Sequence, residues 1–243
     1  AIASILVRVM GMIYRIPMTA IIGDKGNGFY SYAYSVYTIL LLLSSYSLPL
    51  AVSKMVSAKA QLGQWRNVKR VFICAIAFAI GIGTTFGLIV LIGAQFFTRV
   101  FFHSELAAIA LRFMAPTILI MALLGVFRGF FQGLQNTLPT AVSQIVEGLI
   151  NAIMSVVFAY FLFDFGHGMD AAGGTTDLGY AWGAAGGAIG TGAGALAGLI
   201  FCFILFVAYR KILAVNISRD KTGTQQEYGD IFRLMLSIAL PVI

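Results

Sequence analysis

Long apolar runs separated by short polar ones dominate the chain. The first covers about residues 1–22 and stops at "IIGDKGNG", where Gly23, Asp24, Gly26, Asn27 and Gly28 spell a turn. Others cover about 29–57 (with a kink at Pro49), 70–97, 106–131, 138–163 and 180–209. A seventh opens at Ile231 and is cut short at "SIALPVI". The polar stretches "AKAQLGQWRNVKR", "DFGHGMDAAGGTTDLG" and 210–230 read as loops, and "FQGLQNTLP" as a tight turn with Pro139 in the next helix's first turn. A helix needs about 20 residues to cross the hydrocarbon, and the alternation of a barrel strand is missing. The pattern predicts an all-α integral membrane protein: a lobe of six transmembrane helices over 1–209, a cytoplasmic loop over 210–230, and the start of transmembrane helix seven over 231–243.

Composition turns that pattern into a solvent argument. Of 243 residues, 60% are hydrophobic and 10% charged, and the mean hydropathy is +0.92. A soluble domain carries roughly 25% charged residues. With less than half of that, the outer surface must face lipid.

The net charge of +7 is spread over the ends of the apolar runs, which is topology information and no sign of nucleic-acid binding. Lys54, Lys59, Arg66, Lys69 and Arg70 flank one loop; Arg210, Lys211, Arg219, Lys221 and Arg233 flank another on the same side. That bias predicts a cytoplasmic side, with Lys25, Arg99, Asp164, Asp170 and Asp177 opposite. Cys74 and Cys202 fit no metal or redox spacing and read as packing thiols. His103 and His167 read as lone loop histidines. No phosphate loop, nucleophile elbow or zinc-helix motif is present, so neither enzymatic chemistry nor a cofactor or metal is expected.

Charges at membrane depth cost about 2.5–3.5 kcal/mol on insertion scales, so each needs a reason. Lys54, Arg128 and Arg99 lie late in their spans, where a long side chain snorkels to the headgroups. Arg8 and Arg15 are two helical turns apart on one face of the first span, at depths of roughly 20 and 10 Å. Gln144, Glu147 and Asn151 form one stripe on the fifth span. Glu147 lies about 12 Å in, near the depth of Arg8; Arg112 on the fourth span matches Arg15. Either a structural ion pair joins helices one and five, or these residues line a wet cavity that takes an anionic head group. In the sixth span, Gly186, Gly190, Gly194 and Gly198 repeat every four residues, and Gly183 with Gly187 forms a second pair. Such ladders permit close helix packing.

Two stretches carry a family likeness. "RVMGMIYRIPMTAIIGDKGNGFYSYAYSVYTILLLLSSYSLPLAVSKMVS" and "FRGFFQGLQNTLPTAVSQIVEGLI" resemble polysaccharide transporters of the stage V sporulation protein B type. These belong to the multidrug/oligosaccharidyl-lipid/polysaccharide (MOP) flippase superfamily, alongside the lipid II flippases. The resemblance implies the N-terminal lobe of a two-lobed transporter with the MATE-type fold. It further implies a plasma-membrane location, an undecaprenyl-pyrophosphate-linked saccharide as substrate, and alternating access. By position, Arg8 and Arg15 would engage the diphosphate, with Arg112, Gln144, Glu147 and Asn151 as further cavity residues. The chain starts at Ala1 and stops early in a helix, so it reads as part of a larger transporter whose C-terminal lobe is missing. Two other readings stay open. In one, a cation-coupled drug exporter binds its ion at Glu147, although two arginines on span one repel a cationic substrate. In the other, the chain is a non-transporting scaffold.

Overall fold

The computed structural model describes residues 9–45, 47–173, 177–220, 222–223 and 225–239. Helical residues 9–13 lead into seven helices: α1 (Arg15–Ser45), α2 (Leu48–Gln61), α3 (Trp65–Phe102), α4 (Ala107–Gly133), α5 (Leu138–Gly173), α6 (Leu178–Ser218) and α7 (Tyr228–Ala239). The described residues contain no strand. Among the described residues, five helical stretches are long and apolar enough to cross a bilayer, and the first, Arg15–Gln61, is interrupted at Gly23 and at Ser47. At Gly23 the backbone takes φ 63° and ψ −178°, a left-handed value that glycine adopts at little cost. The rest of "GDKGNG" is helical, so a turn expected to need several residues is made by one. Pro49 does not kink a continuous helix; it sits in the first turn of α2, just beyond the bend at Ser47.

Two expected loops prove largely helical. α5 continues through 164–173, so His167 is a helical residue, its ring stacked on Phe163 at 5.9 Å. α6 likewise continues through 210–218. Polar composition marked where the apolar stretch ends, whereas a helix has no need to stop at that boundary. Asp170 gives the α5 extension a purpose. Its carboxylate accepts the backbone N–H groups of Leu178 (3.0 Å) and Gly179 (2.8 Å), which have no helical acceptor at the start of α6. Beside it, Lys25 donates to Asp177 at 3.0 Å and ties the Gly23 turn to the same helix end.

The outside is greasy. Ile92 is 80% exposed, Phe96 65% and Phe161 63%, which suits a lipid-facing wall. Inside, one apolar cluster gathers Leu48, Val52, Phe72, Phe127, Phe130, Cys202, Ile231 and Met235. A second gathers Met18, Ile22, Tyr30, Leu111, Met114 and Ile118. Lipid tails are as apolar as leucine, so close fit and dispersion hold such helices together. The glycine ladder supplies that fit. Gly186, Gly190 and Gly194 press on the α5 backbone and side chains at Phe158–Ala159, Ser155 and Glu147–Asn151, and Gly198 lies near Ser143 and Glu147. Gly183 and Gly187 face α1, against Ile22, Met18 and Tyr30, with Phe163 of α5 also beside Gly183. Two glycine faces let α6 nest between α5 and α1.

Candidate substrate cavity

The glycine contacts also place the polar stripe of α5. A methyl group on Gly194 would come 2.6 Å from the Glu147 carbonyl oxygen and 2.8 Å from Asn151 Cβ, so only a glycine there lets α6 back this segment. In front of it opens a cavity of about 380 Å³, lined by Arg15, Tyr14, Tyr30, Tyr34, Tyr37, Glu147, Gly148, Asn151 and Thr191, with Met121 and Leu41 as its apolar wall. Arg15 is exposed here and makes no ion pair among the described residues. Asn151 accepts from the Ser155 hydroxyl at 2.8 Å, and Tyr30 shares a 3.3 Å hydrogen bond with Thr191.

A second cavity, of about 400 Å³, lies next to the first and shares Leu41 and Met121 with it. Arg128, Gln132, Thr140 and Gln144 give it a polar side; Pro49 and Leu50 give it an apolar one. Between the two runs the pair that depth counting missed. Arg128 donates from Nη2 to Glu147 Oε2 at 2.6 Å and from Nε to Ser143 Oγ at 2.9 Å. Arg128 therefore does not snorkel to a headgroup, and the ion pair of Glu147 joins α4 to α5 instead of reaching the first span. An acceptor on the neighbouring helix satisfies the guanidinium where it stands. Of the other expected snorkellers, Lys54 is exposed and Arg99 pairs with Glu105 at 3.6 Å in a solvated contact.

Among the expected site residues, Arg15, Glu147 and Asn151 line the first cavity and Gln144 the second. Arg8 lies outside the described residues. Arg112 is elsewhere, exposed in an apolar groove between α3 and α4 with Gly87, Leu91 and Pro116. Depth alone could not separate it from Arg15, because depth leaves the direction around the helix axis open. The tyrosines were overlooked, yet Tyr30, Tyr34 and Tyr37 are spaced by four and three, the signature of one helix face. No cluster of metal-ligating side chains occurs among the described residues.

Residues 1–226 match the family of polysaccharide biosynthesis proteins. Stage V sporulation protein B of Bacillus subtilis (strain 168) is 26% identical over 243 residues, covering 98% of this chain. Lipid II flippase MurJ of the same organism is 25% identical over 244 residues, covering 97%. The chain spans 43% of the length of each. A MOP superfamily transporter from Pyrococcus furiosus, described for the reverse polarity of its binding pocket, has the same fold. Its TM-score is 0.70 at 16% identity, with 99% of this chain and 50% of that one covered. Membrane-length apolar helices, the MOP transporter fold and a family match over nearly the whole chain converge: this is a multi-pass membrane protein of the polysaccharide biosynthesis protein family.

Proposed function

We propose that the protein serves as one lobe of a flippase for a lipid-linked saccharide, such as lipid II or another undecaprenyl-diphosphate precursor. The lobe would work by alternating access against a second lobe, with 210–230 as the link and 231–243 as the start of the seventh span. Arg15, with Arg8 deeper on the same expected face, draws the anionic diphosphate. Asn151, Thr191 and the tyrosine face offer hydrogen bonds to the adjoining sugar. The basic loops between spans two and three and between six and seven face the cytoplasm of a bacterial plasma membrane.

One observation carries this reading: a cavity between apolar helices holds an arginine with no ion pair among the described residues. A cation at membrane depth is costly and, by default, functional. Glu147 is already occupied by Arg128, which disfavours it as the coupling-ion site of a drug exporter. The test uses the full-length protein in proteoliposomes with fluorescent lipid II. Translocation should occur and should fall at least about tenfold in Arg15→Ala, a loss equal to about 1.4 kcal/mol of binding. Full transport by that variant removes the reading, and export of ethidium with no lipid II movement points to a drug exporter.

A further inference from the structure

The second cavity is built around a cation that the first does not need. Arg128 is only 12% exposed in its side chain, and what remains open faces that cavity. A guanidinium has five N–H donors. Two are used, towards Ser143 and Glu147, and the others meet no acceptor among the described residues. Gln132 and Gln144 add neutral amide donors around it, and Pro49, Leu50 and Leu41 form an apolar wall opposite.

The two partners of Arg128 differ in kind. Ser143 is fully buried, and its own hydroxyl donates to the Thr140 carbonyl at 2.8 Å, so it is fixed. Glu147 is 25% exposed and borders the first cavity, so its carboxylate has somewhere to turn. An anion in the second cavity would thus meet an arginine held firmly at one edge and loosely at the other.

We propose that Arg128 is the anion-binding residue of a second subsite, and that Glu147 is its built-in competitor. A phosphate or diphosphate head group entering beside Gln132 and Gln144 takes the guanidinium edge that Glu147 vacates. The Ser143 bond keeps Arg128 in place during the exchange. The displaced carboxylate turns towards the cavity of Arg15, so the two cavities act as successive stations for one charged group. This rests on the flippase reading and adds to it a residue and an order of contacts.

The test measures binding of farnesyl diphosphate and of inorganic diphosphate to the full-length protein in nanodiscs, with thermal stability followed in parallel. Glu147→Gln removes the competing charge and should tighten diphosphate binding by about tenfold. Arg128→Gln should weaken it by a similar factor, and the double variant should behave as Arg128→Gln. Tighter binding of the prenyl probe assigns the subsite to a lipid head group, and equal binding assigns it to free diphosphate. If Arg128→Gln fails to fold, Glu147→Gln alone decides. A folded Glu147→Gln protein that binds no tighter than the parent overturns the proposal. If Arg15→Ala alone abolishes binding while the other variants match the parent, the second subsite fails and the flippase reading stands. A parent protein that binds neither probe removes both.

Discussion

Arg128 on α4 and Glu147 on α5 meet at 2.6 Å across the helix pair that the 134–137 turn joins, and their contact separates two polar cavities. Neither residue alone is well suited to its position. Together, with Ser143 as a third member, they let two charges exist between apolar helices.

Removing one member of this pair leaves the other stranded. Arg128→Met or Glu147→Leu should each cost about 3 kcal/mol, the scale for breaking a buried pair. The double substitution should lose less than the sum, by about 1–3 kcal/mol, because no orphan charge remains. Unfolding of the four proteins in a mixed-detergent titration measures the cycle. Additive losses would show that the two side chains are not coupled.

The glycine ladder should show graded tolerance. An added methyl at Gly186 runs into the backbone of Phe158 and Ala159, which cannot step aside, whereas at Gly198 the nearest atoms stand 3.4 Å away. Gly186→Ala is expected to cost about 1–3 kcal/mol as overpacking, and more if α5 is forced outward. Gly198→Ala should be near neutral, since alanine is also the better helix former by up to about 1 kcal/mol. Thermal scanning of both variants ranks them. Equal losses would remove close contact as the role of the ladder.

The contrast between these two features explains how much could be read from the chain. The glycine period, the apolar runs and the 134–137 turn are local, and local periodicity records them, whereas Pro49 reads as a kink within one span and instead stands in the first turn of a new helix. The partner of Glu147 is a matter of which way two helices face. Depth counting matched Glu147 to Arg8 and sent Arg128 to the headgroups, because depth carries no information on rotation about a helix axis; the pair in the fold is Arg128 with Glu147. Arg112 and Arg15 match in depth and still fall in different grooves. The helical ends at 164–173 and 210–218 were hidden for another reason: their polar residues describe the surroundings, and the backbone there is fixed by capping and by neighbouring helices.

Asp170 illustrates such capping. Its carboxylate holds two N–H groups at the start of α6 from the far end of α5. Asp170→Ala should destabilise the protein by about 0.5–2 kcal/mol, the usual range for losing a helix cap. Hydrogen exchange at Leu178 and Gly179 should speed up locally while exchange in the middle of α6 stays slow. Unchanged exchange at those two amides would show that the cap does not hold the helix end.

Asp220 does the same for α3 and brings a pH dependence. It accepts the Arg66 backbone N–H at 3.0 Å, and the Thr222 hydroxyl and N–H at 2.6 and 3.0 Å. Asn67 accepts the Gln226 N–H, and Arg70 donates to Gln225, so the segment after α6 is fastened to the start of α3 at several points. The Arg66 N–H, then the Thr222 donors, hold the Asp220 carboxyl below its ordinary range. A carboxyl lowered on folding stabilises the folded form above its unfolded pKa and loses that contribution as pH falls through the folded value. The fastening should therefore be complete at neutral pH and weaken only below about pH 4, the ordinary aspartate value. Slow amide exchange at Arg66 and protection of 219–227 from an acid-active protease should both be lost in that acid window. Asp220→Ala should show the loss already at pH 7, and protection that ignores both acid and the substitution would rule out Asp220 as the clasp.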